Sequence, residues 1–252
     1  MRYALISDIH ANLPALESVF DDIARQERVE AAYHLGDLVG YGPWPNETVA
    51  LLRERGIAGI AGNYDSTVAA DYQHCGCKYE DKHQEELSHL SFVWTCRHTS
   101  RETKQYLAGL PFRTDLRPVG GHASGPTVTL LHGNHVLNTV YVHEDRGDEF
   151  LEKMGRAVGA RSGDAVGFGH THVPWHRVVG GVHYINTGSV GRPKDGDWRA
   201  GYVLLDITAE GASVDFVRVE YDVEAAAREI VARGLPAELA EFLRTGGRLA
   251  TA

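Results

Sequence analysis

Apolar residues in the first part of the chain fall in short, near-continuous runs, each closed by glycine or a polar residue. "YALIS" (3–7) runs into Asp8-Ile9-His10, "AAYHL" (31–35) into Gly36-Asp37, and "IAGI" (57–60) into Gly62-Asn63. Runs this short and this apolar read as buried strands. Between them the period changes. Over residues 12–28 the apolar positions Leu16, Val19, Phe20 and Ile23 share one helical face, with Asn12 as N-cap and Pro14 in the first turn. Residues 46–55 follow the turn "YGPWP" with Asn46 as the expected cap. A β-α-β-α-β order implies parallel strands joined by helical crossovers.

From about 66 to 110 the pattern is polar and helical, without a clear strand, and reads as an insertion or lid. Beyond it strands are expected at 127–131, 164–168, 174–179, 182–186, 202–207 and 213–219, then amphipathic helices near 222–233 and 236–245. No repeat or linker divides the chain, so one domain is expected over 1–252.

Composition excludes more than it identifies. A formal net charge of −9 argues against a surface for long nucleic acid, which needs a basic stripe. Three cysteines make no disulfide framework. The N-terminus reaches Asp8 too soon for a signal peptide, and no apolar run is long enough to span a bilayer. A cytoplasmic protein without a membrane partner is the expectation; nothing in the sequence sets its oligomeric state.

The chemistry lies where the apolar runs end. If those ends converge, they gather Asp8, His10, Asp37, Asn63, His132, His170 and His172. Ligands are carried at the carboxyl ends of strands in open α/β sheets. Oxygen and imidazole donors suit Mn, Fe or Zn rather than thiolate chemistry. Seven donors exceed the need of one tetrahedral ion; they suit two ions about 3.5–4 Å apart, as in two-metal phosphoester hydrolases. The Asn63 amide oxygen then ligates without adding charge. Two divalent ions, offset by two carboxylates and a bridging hydroxide, leave a net positive site that attracts phosphate within an acidic protein.

The series Asp8-x-His10, Gly36-Asp37, Gly62-Asn63-x-Asp65, His132-Gly133 and Gly169-His170-x-His172 resembles the signature of the calcineurin-like metallophosphoesterase family, in order, over residues 8 to 172. "GDLVGYGPWPNE" and "INTGSVGRPKDGD" resemble its small prokaryotic members. The resemblance implies a four-layer α/β/β/α sandwich of two facing sheets with a helical lid insertion. It implies one metal on Asp8, His10, Asp37 and His172, and a second on Asp37, Asn63, His132 and His170, with Asp37 bridging and Mn the first choice over Fe or Zn. It also implies in-line attack of a metal-bridging hydroxide on the phosphorus of a small phosphoester. Asp37, Asn63 and Tyr64 are the catalytic expectations. Many phosphatases of the family carry histidine where this chain has Tyr64. Tyrosine is a weaker proton source that can still donate a hydrogen bond, so a phosphodiesterase is expected. The alternatives are a phosphomonoesterase, including a protein phosphatase, and a non-catalytic metal-binding regulator.

Other positions carry competing readings. His34 reads as a satisfied core histidine facing away from Asp37 by strand alternation. His122, His143, His176 and His183 read as structural or exposed, and His135 as a lesser candidate for the pocket. Cys75-Gly76-Cys77 reads as buried thiols ahead of a third metal site, since C-x-C is not a zinc-knuckle spacing. Asp65 is expected to orient a neighbour such as a ligating imidazole. Ser189, in "NTGSVGRP", is either part of a glycine-rich turn or a phosphate ligand; Tyr41, between two glycines, belongs to a tight turn or to the pocket rim.

Overall fold

A computed structural model describes residues 1–79, 81–116, 125–208 and 211–248; His122 lies outside them. The first sheet holds β1 (Arg2–Ile6), β2 (Val29–His34), β3 (Ala58–Gly59), β9 (Ala200–Thr208) and β10 (Gly211–Val219), in the order β10-β9-β1-β2-β3. In it β1, β2 and β3 run parallel, while β9 is antiparallel to both β1 and β10. The second sheet holds β4 (Thr114–Leu116), β5 (Val128–Leu130), β6 (Ala165–Phe168), β7 (Trp175–Val179) and β8 (Val182–Asn186), in the order β4-β5-β6-β8-β7, with β5, β6 and β8 parallel.

Alternation along the strands builds the layers. Tyr3 and Leu5 of β1, with Val203 and Leu205 of β9, meet Val128, Leu130, Ala165 and Ile185 of the second sheet in one apolar core. Each such Val or Leu contributes roughly 1.5–3 kcal/mol. The opposite faces are covered by helices. Ala4, Ile6, Tyr202 and Leu204 pack under α1 (Leu13–Arg25), which buries Leu16, Val19 and Phe20. On the far side α6 (Asp148–Val158) lays Leu151, Met154 and Val158 on Val166, Phe168 and Tyr184. Two mixed sheets flanked by helices make the expected α/β/β/α sandwich.

Several boundaries differ from expectation. The α6 helix was not anticipated: its apolar face is narrow between charged residues, and its clearest mark is the left-handed Gly159 that ends it. Asn12 caps α1 as expected, its side chain accepting from Ala15 N–H. Asn46 does not cap α2 (Pro45–Glu54); Trp44 holds that position. The Asn46 amide instead bonds the His98 carbonyl and Ser100 N–H, tying α2 to the junction of α4 (Lys82–His98) and α5 (Arg101–Ala108). The chain closes with α7 (Val223–Ala232) and α8 (Ala237–Arg244). Among the described residues no helix is long and apolar enough to cross a membrane.

His34, at the end of β2, is fully buried, yet neither ring nitrogen makes a hydrogen bond of normal geometry. It is a core histidine, as expected, but not a satisfied one. Burial lowers its pKa to about 4, with the Ile60 backbone acting weakly the other way. The unfolded ring, with a pKa near 6.5, takes up a proton that the fold refuses. Stability from this residue is therefore full above pH ~6.5 and is lost as pH falls towards 4. Replacing His34 with leucine is expected to shrink the difference in urea unfolding free energy between pH 7 and pH 5 by about 2 kcal/mol. An unchanged difference would show that the ring is accommodated in its charged form.

Candidate metal centre

Strand ends and unusual backbone bring the seven donors together. Asp8 and His10 follow β1, Asp37 follows β2, His132 follows β5, and His170 and His172 follow β6. Asn63 is not at a strand end but opens the short helix α3 (Asn63–Ala69), after a β3 of two residues. Five of the seven are left-handed: Asp8 (φ 52°), His10 (48°), Asp37 (53°), His170 (67°) and His172 (61°). Such a conformation costs a side-chain-bearing residue about 1–2 kcal/mol. Repeated at one place, it is strain held for a purpose. The loops also cross without clearance. A Cβ on Gly36 would lie 2.3 Å from Gly62 N, and one on Gly62 would lie 2.1 Å from Asp37 Oδ1, so both glycines are needed for Asp37 and Asn63 to approach.

Two buried triads result: Asp8, His10 and His172, and Asp37, His132 and His170, the ligand atoms of each lying within 4.8 Å of one another. Asp37 faces both, its Oδ2 being 3.8 Å from His10 Nε2 and 3.4 Å from His132 Nε2. Asp8 Oδ1 lies 3.2 Å from His172 Nε2 and 3.8 Å from His10 Nε2. Asn63 Oδ1 lies 3.2 Å from His132 Nε2.

Main-chain carbonyls set the tautomers. His10 Nδ1 meets Val39 O at 3.1 Å, His132 Nδ1 meets Leu35 O at 2.7 Å, and His172 Nδ1 meets Arg192 O at 2.6 Å. A carbonyl only accepts, so each Nδ1 carries the proton and, in the neutral ring, Nε2 presents a lone pair to the site. The Nε2 atoms of His10 and His172 then confront each other at 3.1 Å, and those of His132 and Asn63 Oδ1 at 3.2 Å. Asp8 Oδ1 and both nitrogens of His170 make no hydrogen bond of normal geometry. Buried acceptors facing one another without donors repel unless positive charge lies between them. The donor set therefore fits two divalent cations.

The same need appears in the proton equilibria. Burial, joined by His172, lowers His10 to about 3; burial and then His132 lower His170 to about 3; burial, then Lys194, holds His172 well below the usual range. At His132 burial also works to lower the pKa, but the Asp37 carboxylate prevails and raises it to about 10. Without metal, one proton is drawn to His132. A cation must displace it, so binding at that triad weakens as pH falls.

A surrounding set of bonds holds the donors. Asp8 Oδ2 accepts from Ser7 Oγ (2.6 Å) and His170 N–H (3.0 Å). Asn186, ending β8, donates to Gly169 O and Thr171 Oγ1 and so pins the loop bearing His170 and His172. Asp65 accepts from Leu38 N–H (2.8 Å) and Gly62 N–H (2.9 Å); it orients the two loops rather than an imidazole. The Asn63 amide donates to Cys75 O and Cys77 Sγ, both at 3.2 Å, which turns its oxygen towards His132. All three cysteines are free thiols, and two of them thus brace Asn63.

A cavity of about 880 Å³ opens over both triads. Tyr41 and Tyr64 line it. Tyr64 is buried against His10, Tyr41 and Phe92, its N–H donates to Asp37 Oδ1 (2.9 Å), and its hydroxyl makes no hydrogen bond of normal geometry. Burial pushes its phenol well above the usual range. Ser189 is not among the lining residues. Its hydroxyl donates to Asp8 O (2.7 Å) and accepts from Arg192 N–H (2.8 Å), so both of its roles are taken by main chain. It braces the Asp8 loop instead of facing a ligand. His143, expected to be structural or exposed, lines the cavity, as do Arg192 and Lys194, which no motif had singled out. His135 does not line it.

A family profile described as "Calcineurin-like phosphoesterase superfamily domain" matches residues 1–210. An uncharacterized protein of Methanocaldococcus jannaschii is 30% identical over 260 residues, which cover 96% of this chain and 97% of that protein. Among solved structures, a metallophosphoesterase from Sphaerobacter thermophilus is 30% identical with a TM-score of 0.74, over 98% of this chain and 99% of its own. A hypothetical protein from Pyrococcus horikoshii OT3 shares the fold with a TM-score of 0.82 at 23% identity, over the same shares of the two chains. With the motifs, the sandwich and the paired triads agreeing, the chain belongs to the calcineurin-like phosphoesterase superfamily.

Proposed function

We propose that the protein is a metal-dependent phosphoester hydrolase that prefers small phosphodiesters. The observation that carries this reading is the pair of buried triads beneath one cavity, in which His10 Nε2 faces His172 Nε2 and Asp8 Oδ1 and both His170 nitrogens are without hydrogen-bond partners of normal geometry. In this reading Asp8, His10, Asp37 and His172 hold one ion; Asp37, Asn63, His132 and His170 hold the other. Manganese is the first choice, with iron or zinc also suited to the donor set. Bound there, the ions would supply an activated water and take up charge on the phosphoryl oxygens.

The chain's own residues do the rest. Asp37 would serve both ions, Asn63 would contribute an oxygen without charge, and the Tyr64 hydroxyl would donate a hydrogen bond to a substrate oxygen. A buried phenol with a raised pKa is a poor acid for a leaving group, which supports diesters over monoesters. The 66–110 segment acts as a lid: Cys77, Tyr79, Leu87 and Ser88 from it line the cavity. Three free thiols support a reducing, cytoplasmic setting.

The test is hydrolysis of bis-p-nitrophenyl phosphate against p-nitrophenyl phosphate with Mn²⁺. A higher kcat/KM on the diester is expected; faster monoester turnover overturns the preference, and no turnover of either overturns the activity. Tyr64→His is expected to raise the monoester-to-diester ratio by about tenfold or more, by supplying an acid. An unmoved ratio would remove Tyr64 from the account of specificity.

A further inference from the structure

Arg192 has more charge than its surroundings use. Its side chain is only 8% exposed. The guanidinium carbon lies 3.9 Å from the centre of the Tyr41 ring and 3.7 Å from that of Phe242, so two aromatic faces fix its plane. Among the described residues no carboxylate pairs with it and no acceptor takes its N–H groups, although it lines the cavity. Lys194, two residues on, lines the same cavity, likewise without an ion pair or side-chain hydrogen bond among the described residues. A buried cation without a partner is costly, and a clamped guanidinium presents its donors as a ready fork for phosphate.

Position adds to this. The Arg192 carbonyl fixes His172, and its guanidinium carbon packs on the Tyr41 ring, whose centre is 5.0 Å from that of His10. The fork is not part of either triad and lies within one small molecule's reach of them. The cavity's charge is unlike the chain's: Lys78, Arg146, Arg192 and Lys194 line it against Asp37 and Glu238, in a protein of net charge −9. Glu238 makes no ion pair with Arg192 or Lys194 among the described residues, so it does not neutralise the fork.

We propose that Arg192 and Lys194 form a second anion subsite, and that the substrate is a small organic phosphoester bearing a second phosphoryl group across a spacer the size of a pentose. This rests on the phosphoesterase reading, because the metal pair holds the first phosphoryl group while the fork takes the second.

Direct binding tests it. Thymidine 3′,5′-bisphosphate and thymidine 5′-monophosphate are titrated calorimetrically into the Mn²⁺-loaded protein. The bisphosphate is expected to bind about tenfold more tightly. Lys194→Met, at an exposed position, and Arg192→Met, which keeps the stem between the two rings, are each expected to cut that ratio to below about threefold. Circular dichroism and a thermal melt establish that each variant is folded. Equal affinities in the unaltered protein, no measurable binding of either nucleotide, or a ratio that survives in both variants overturns the subsite. Absence of hydrolysis with Mn²⁺, alongside a tenfold ratio that both variants abolish, would sink the phosphoesterase reading and leave the subsite standing.

Discussion

Asp37→Asn is expected to lower kcat/KM on bis-p-nitrophenyl phosphate by about 10³-fold or more, roughly 4 kcal/mol of transition-state stabilisation, and to leave fewer than two ions per chain by elemental analysis. One oxygen explains the size of the effect. Asp37 Oδ2 faces His10 Nε2 at 3.8 Å and His132 Nε2 at 3.4 Å, so it serves both triads at once. The other oxygen already accepts the Tyr64 N–H, which fixes the carboxylate's orientation. Asparagine either turns an amide NH₂ towards the cations or offers a neutral oxygen in place of a charged one. The Asp37 charge also raises the His132 pKa against the effect of burial, so that pKa is expected to fall in the variant. Circular dichroism separates loss of metal from loss of fold. A variant with two ions and a rate within tenfold of the original would show that Asp37 does not bridge.

Removal of metal is expected to have the second large effect. Chelation followed by dialysis should leave under about 1% of the activity, a loss of ~2.7 kcal/mol or more, and lower Tm by about 10 °C; Mn²⁺ should restore both. At a free concentration a hundred times Kd, each ion stabilises the fold by about 2.7 kcal/mol. A chain of this size gains about 2–4 °C per kcal/mol. The physical source is again local. Without cations, His10 Nε2 and His172 Nε2 face each other at 3.1 Å, while Asp8 Oδ1 and both nitrogens of His170 are without hydrogen-bond partners of normal geometry. Unfolding hydrates all of these groups, so the metal-free protein gives up less on unfolding. An unchanged Tm and full activity after chelation would mean that the triads hold no catalytic ion.

The donors were legible because each stands beside a feature that sequence displays. Asp8, Asp37, His132 and His170 each follow an apolar run, and a run that ends at a polar residue marks the edge of a buried sheet. Asn63 follows the same pattern although its strand is only two residues long, because Ile60 stays buried beyond it. Ser189 was harder. A serine in a glycine-rich turn suits a phosphate contact and a main-chain brace equally, and only the approach of the Asp8 carbonyl decides for the brace. Asn46 misled for a related reason: it follows a turn as a cap should, but its amide is claimed by residues 52 and 54 positions away.

By itself the sequence determined the period of each element and the chemical type of each donor, since both depend on residues a few positions apart. Pattern alone separates strand from helix, and oxygen with imidazole from thiolate. Tertiary structure decided orientation and neighbourhood. The nitrogen that His132 turns to the site depends on a carbonyl 97 residues away, and His10 meets His172 across 162 residues. The Arg192 cradle needs Tyr41 from one loop and Phe242 from the last helix. Such contacts arise from the packing of two sheets and leave no local trace in the chain, so the sequence displays the candidate donors but not the tautomers, the braces or the cationic fork.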